Sequence, residues 1–235
     1  MNYDYQKVSL VSHSTGVFSP GSVSTPQELV AYCARVSNPA NQNNHQTSEK
    51  LVRYLVKHKH WSPLEMVSAT VEVETTRDIA RQMLRHRSFA FQEFSQRYAD
   101  PTATLDFVTR DARLQDIKNR QNSVQTDDKV LLDEWDRRQN QMIVMAKNTY
   151  SWAVEHGIAK EQARAILPEG NTMSRLYMAG TLRSFVHYVE VRTSNGTQAE
   201  HMDVARKIAF AIAAVFPLIS DFVAAQAVDS QDLTK

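Results

Sequence analysis

Five groups able to grip an anion crowd one stretch of the sequence: Arg81, Arg85, His86, Arg87 and Arg97 fall within seventeen residues. Guanidinium groups form bidentate, charge-assisted bonds to phosphate and carboxylate. Phe89, Phe91, Phe94 and Tyr98 are interleaved with them and offer flat faces on which a planar ring could stack. The same residues suit a plainer role, with basic groups closing a helix C-terminus over an aromatic core. A second stretch contains His58, His60 and Glu65. A metal site needs a third ligand, and no nearby Cys or Asp supplies one, so no metal is expected. A helix-capping His with Glu65 as its ionic partner fits the spacing better. Two further stretches carry Arg164, and Arg183 with His187 and Arg192. Arg183, His187 and Val191 share one helix face by their spacing. Taken singly, each of these also suits a solvated face or an ion pair.

Composition narrows what such residues could serve. Six of 235 residues are glycine, where average usage of about 7% would give roughly 16. No two of them are closer than five residues, which excludes G-x-G-x-x-G and G-x-x-x-x-G-K-[ST] phosphate loops. With 27 basic and 26 acidic residues the net charge is +1. Bulk charge therefore gives no argument for a nucleic-acid or membrane surface. The arginine-rich aromatic segment alone would suit single-stranded nucleic acid, but the charge balance argues against it. Cys33 is the only cysteine, so no intrachain disulfide can form and a reducing, cytoplasmic setting fits best. Flanked by Tyr32 and Ala34, it reads as a small buried helix residue. The N-terminal residues lack the apolar run of a secretory signal. The most apolar stretch, 208–223, is interrupted by Pro217 and Asp221, so no membrane span is expected.

Periodicity places these residues on elements. Val8 and Leu10, then Val17 and Phe18 after a turn at Gly16, suggest a strand or hairpin. Thr25, Pro26 and Glu28 read as a capping box opening a helix to about 37, followed by polar loop over 38–46. A helix over 48–58 has Leu51, Leu55 and Val56 on one face and is broken by Pro63. Val67, Ala69, Val71 and Val73 alternate as a strand. A helix over 78–87 presents Ile79, Met83 and His86. Residues 102–109 suggest a strand, and 111–128, which lacks a periodic apolar face, a polar and partly mobile surface insertion. A long helix over 129–156 ends at Gly157. Then come a short helix over 161–167 stopped by Pro168, a strand over 174–178, a helix over 181–191, and a long helix from 198 to about 227, kinked near Pro217. Strands and helices do not alternate regularly. The expected class is α+β: one domain over 1–235, with a mainly antiparallel sheet flanked by long helices.

Taken together and in order, these stretches resemble the flavin-dependent thymidylate synthases. The family signature is Arg-His-Arg, seven residues, then Ser; here it is Arg85, His86, Arg87 and Ser95, followed by Arg97 and Tyr98. Residues 34–37, 54–65, 163–168, 183–192 and 198–200 match further family stretches, so the likeness covers about residues 30–215. The family often has Ser at the position of Ala90, Asn at those of Gln92, Thr181 and His187, and His at that of Gly196.

The resemblance implies an enzyme that makes thymidylate from deoxyuridylate (dUMP). Methylenetetrahydrofolate supplies the carbon, reduced FAD the hydride, and NADPH re-reduces the flavin. It also implies a homotetramer whose active sites are shared between subunits. Gln82, Met83, Leu84 and Arg85 would meet dUMP from one subunit. Glu93, Phe94, Ser95, Gln96, Arg97 and Arg164 would complete that site, and Arg192 would be the catalytic arginine on the uracil edge. FAD would be held by Ser62, Arg85, His86, Arg87, Glu93, Thr181, Leu182, Arg183 and His187, with His60 by the isoalloxazine ring and Ser37 and Ser88 nearby. A flavoprotein of this kind that has lost methylation is the alternative suggested by Ala90, Gln92 and Gly196; Arg164 and Arg192 argue against it. The unrelated folate-dependent synthases use a cysteine nucleophile, whereas no such role falls to Cys33. Cys33→Ala is therefore expected to retain turnover in a thymidylate assay; loss of activity in a folded variant would refute a cysteine-free mechanism.

Overall fold

The alternation that puts Val67, Ala69, Val71 and Val73 on one side of a strand is realised in the computed structural model, which describes residues 3–17 and 25–224. Val67, Val71 and Val73 are fully buried and Ala69 nearly so. Among the described residues the strands are β1 (Lys7–His13), β2 (Ser68–Thr76), β3 (Ala90–Glu93), β4 (Arg113–Gln115), β5 (Ser123–Gln125) and β6 (Met173–Thr181). The helices are α1 (Pro26–Ala34), α2 (Ser48–Lys57), α3 (Ser62–Glu65), α4 (Arg77–Met83), α5 (Pro101–Thr104), α6 (Lys129–Glu155), α7 (Lys160–Ala163), α8 (Leu182–Arg192) and α9 (Ala199–Ala213). Four strands form one sheet in the order β1-β2-β6-β3. Ser14 N–H donates to the Ser68 carbonyl and Gln6 donates to Thr75, so β1 and β2 run antiparallel. Arg77 N–H donates to Thr172 and Leu182 N–H to Val67, so β2 and β6 do too. The class is α+β, as expected. Among the described residues no helix is long and apolar enough to cross a membrane.

The chain divides into two compact units, and β1, β2, β3 and β6 each contribute residues to both. One unit comprises 3–7, Val73–His86 and Phe91–Tyr177. Its helical core packs Tyr150, Ala146 and Ala153 of α6 against Ala163 and Leu167, with Phe107 alongside. Asp128 caps α6 by accepting from Leu131 N–H, and Gly157 follows it at φ 80°, the left-handed conformation that ends a helix and favours glycine. The other unit comprises 8–17, 25–72, Arg87–Ala90 and 178–224. There α8 packs on α9, with Phe185, Val186, Val189, Val204 and Ile208 fully buried. The capping box of α1 is present: Thr25 N–H donates to Glu28 and Glu28 N–H to Thr25 Oγ1.

Several expectations are corrected. Of the strand or hairpin expected at the N-terminus, the strand is present as β1, which ends at His13 and pairs with β2, while Phe18 lies outside the described residues. Helix α1 stops at Ala34, and two short 3-10 turns, Pro39–Asn41 and His45–Thr47, occupy the loop that follows. The buried face of α2 is Ser48, Val52 and Leu55. Its end is set at His58, where Lys59 takes a φ of 59°; Pro63 instead begins α3. Of residues 102–109 only the second half pairs as a strand would: Phe107 bridges Thr172 antiparallel, while before it Asp100 accepts from Thr102 N–H and Pro101 opens α5. Within 111–128, β4 and β5 pair antiparallel. Asp116 builds their polar turn by accepting from Lys118 and Asn119 N–H, local bonds that replace an apolar face as the organising force. The same bonds hold its carboxyl below the usual range. Strand β6 is longer than expected. Helix α9 ends at Ala213 and is followed by a 3-10 turn at Pro217–Phe222 rather than kinking through it, since proline cannot continue the ladder; Ala227 lies outside the described residues. Leu176, fully buried in β6, is expected to cost about 2–5 kcal/mol on Leu176→Ala, read from urea unfolding.

Candidate active site

Helix α4 delivers the cationic turn. Its buried Ile79, Ala80 and Met83 anchor the helix. Beyond it, Arg85 N–H donates to Gln82 and His86 N–H to Met83, so Arg85, His86 and Arg87 lie past the helix end, where cations are favoured. Among the described residues neither Arg85 nor Arg87 makes an ion pair or side-chain hydrogen bond, and both are exposed. Arg164, on a 3-10 turn, is likewise unpaired. Neighbouring arginines differ: Arg81 bonds Glu169 at 2.6 Å, and Arg97 faces Glu161 at 3.5 Å.

Glu93, at the end of β3, accepts from Ser174 Oγ at 2.8 Å and from Arg77 at 3.4 Å. Its carboxylate is thereby held in place by groups that sequence spacing did not single out. Ser95 Oγ accepts from Arg97 N–H at 3.4 Å. Gln96 is 3% exposed, and its Nε2 has no hydrogen-bond partner, a costly state for a buried donor unless a ligand completes it.

In the second unit the residues gather on α8. Thr181 caps it by accepting from Ser184 N–H at 3.2 Å. Ser184 Oγ donates to the Ser88 carbonyl at 3.3 Å, tying the segment after Arg87 to the first turn of α8. Arg183 is ion-paired with Glu65 of α3; Glu65 is thus the partner of an arginine, not of a histidine as expected. His187 meets Trp61 edge-on at 4.9 Å. Residues 60–65 and the Arg183 face, distant in sequence, are therefore brought together. Ser62 and His60 are exposed beside Trp61, and Leu182 is fully buried. Ser37 stands apart, lining a cavity of about 460 Å³ with Arg35, Lys50 and Tyr54.

Arg192 is the last residue of α8. Tyr188, one turn earlier, is fully buried and bonds His201 Nε2 at 2.9 Å. Burial pushes its phenol well above the ordinary range, against the opposing charge of Arg192. Burial likewise raises the Cys33 thiol, which disfavours the nucleophilic thiolate. The His58 and His60 rings are 6.4 Å apart, and no group of three His, Cys, Asp or Glu suited to a metal stands among the described residues. Trp61, Ser174, Arg77 and Ser184 were missed from the sequence because their roles arise only from cross-strand and helix–helix contact.

The chain is thus an α+β protein whose exposed Arg85 and Arg87, past the end of α4, have no counterion among the described residues. The family described as Thymidylate synthase complementing protein matches residues 21–218. A probable flavin-dependent thymidylate synthase of Paramecium bursaria Chlorella virus 1 is 49% identical over 201 residues, 84% of this chain and 90% of that one. A flavin-dependent thymidylate synthase of Synechocystis sp. is 46% identical over 185 residues, 79% and 83% of the two chains. A solved UMP/dUMP methylase PolB from Streptomyces cacaoi, bound with 5-Br dUMP, superposes with a TM-score of 0.73 at 26% identity, covering 92% of this chain and 93% of that one. The chain belongs to the flavin-dependent thymidylate synthase family. Because Arg85 and Arg87 stabilise nothing by ion pairing, Arg85→Ala and Arg87→Ala are each expected to change unfolding free energy by less than about 0.5 kcal/mol. Arg77→Ala, which removes a partner of Glu93, is expected to cost about 1–3 kcal/mol in the same urea titration.

Proposed function

We infer that the protein reductively methylates deoxyuridylate to thymidylate, taking the carbon from methylenetetrahydrofolate and using FAD that NADPH re-reduces. The observation that carries this reading is the pair of unpaired guanidinium groups in the Arg85-His86-Arg87 signature of a chain that matches the family over residues 21–218. Bound FAD supplies the hydride. Its pyrophosphate needs fixed positive charge, and the residues present fit: Arg85 and Arg87 have no protein counterion, and Thr181 opens α8 where backbone N–H groups favour anions. Ser88, Leu182, Arg183, His187, Ser62, His60, His86, Glu93 and Ser37 complete the proposed flavin set.

For dUMP, Gln82 and Arg85 hold the phosphate from one copy of the chain, and Ser95, Gln96, Arg97 and Arg164 close on it from another. The unsatisfied Gln96 amide supports this placement. Met83, Leu84, Phe94 and Glu93 frame the nucleotide. Arg192 sits on the carbonyl and N3 edge of uracil, where a fixed cation stabilises negative charge on the ring and raises electron density at C5. Ser95 binds substrate rather than attacking it. A serine nucleophile needs an adjacent base, whereas the partner of Ser95 Oγ among the described residues is the Arg97 N–H.

The whole chain acts as one synthase domain in a homotetramer. Helix α6 supports assembly, for it exposes Leu131, Trp135, Met142, Met145 and Trp152 along one stripe, more apolar surface than a solvated helix face carries. Purified protein is expected to be yellow with flavin absorbance and to form thymidylate when given deoxyuridylate, methylenetetrahydrofolate and NADPH. A colourless protein that binds oligonucleotides would sink the proposal, and a yellow one that makes no thymidylate would reduce it to flavin binding. Ser95→Ala is expected to keep substantial turnover with a raised KM for deoxyuridylate; complete loss with binding intact would make Ser95 the nucleophile.

A further inference from the structure

Gly180 stands in β6, yet it is not one of the glycines with positive φ, which are Gly157 and Gly196. Its backbone would therefore accept any residue. What it lacks is room. A Cβ at position 180 would lie 2.4 Å from Cδ1 and 2.8 Å from Cε1 of Phe89, distances that real Cβ atoms do not occupy. The half-buried ring is blocked on its inner side. It meets Phe185 edge-on at 4.9 Å and Tyr188 at 5.9 Å, and those two side chains are 0% and 1% exposed. Close-packed interiors transmit such a clash rather than absorb it.

Phe89 follows Arg87 and Ser88 directly, and the Ser88 carbonyl is bonded by Ser184 of α8. Ring and carbonyl together pin this segment to β6 and to the first turn of α8. We propose that Gly180 is a positioning residue for the flavin site: its missing side chain seats Phe89, and that seat fixes Arg87 and Ser88 at the start of α8. The proposal rests on the reading of Arg87 and Ser88 as flavin contacts. It explains why a chain so poor in glycine spends one inside a strand, where glycine weakens pairing. It also separates position from charge, since neither Gly180 nor Phe89 touches an anion.

The test is FAD titration of the flavin-stripped full-length protein, followed by flavin fluorescence, with circular dichroism to establish folding. Gly180→Val is expected to weaken FAD binding by about tenfold or more while remaining folded. Phe89→Ala, which empties the same seat, is expected to weaken FAD binding to a similar degree, and combining it with Gly180→Val is expected to add little further loss. Wild-type affinity in Gly180→Val or in Phe89→Ala, or losses that simply multiply in the double variant, would overturn the proposal. Arg87→Ala is measured in parallel. Wild-type FAD affinity there, with Gly180→Val and Phe89→Ala both impaired, would refute the Arg87 flavin contact and leave the steric seat standing. Should Gly180→Val not fold, Gly180→Ala, whose methyl meets the same clash, takes its place.

Discussion

The structure turns on two guanidinium groups, Arg85 and Arg87, that stand two residues apart in the sequence and have no counterion among the described residues. Carboxylates are not scarce in the chain; several are engaged with other partners. Glu169 bonds Arg81, Glu65 bonds Arg183, Glu161 faces Arg97, and Glu93 is held by Arg77 and Ser174. An exposed ion pair contributes little to stability, so the value of these pairs lies in what they leave unpaired. The positive charge that remains is available to a ligand.

Charge alone cannot hold such a turn, so packing does. On one side, α4 ends in buried Ile79 and Met83, and its last backbone bonds carry the chain into Arg85 and His86. On the other, Phe89 beds against Phe185 and Tyr188, and Ser184 grips the Ser88 carbonyl. The signature thus lies between an apolar anchor before it and an aromatic anchor after it. Preorganisation of this kind avoids an ordering cost on ligand binding. In the proposed site, arginine side chains take the part that backbone N–H groups play in a glycine-rich loop, which fits a chain with six glycines.

How much of this was legible in the sequence depends on whether the governing contact is local. Thr25 and Glu28 form their capping box, Asp128 and Gly157 bound α6, and Val67 to Val73 alternate into the core, because each outcome is decided within a few residues. The strand expected over 102–109 shrinks to a bridge at Phe107, because Asp100 and Pro101 start a short helix before it. The polar insertion contains a hairpin because Asp116 organises its own turn. Pro63 and Pro217 proved to be starts of short helical turns rather than a break and a kink. The Arg-His-Arg signature was readable because residue type and spacing suffice to recognise it.

The sequence by itself therefore determined the α+β class, the main helices and the central strand, and the family to which the chain belongs, since these follow from periodicity, caps and ordered motifs. Only the tertiary structure decided which cations remain free, that Glu65 meets Arg183 rather than a histidine, that Ser174 and Arg77 hold Glu93, and that Gly180 makes space for Phe89. Those outcomes depend on pairs sixteen or more residues apart in the chain. Their partners are chosen by strand register and helix packing, which no local pattern encodes.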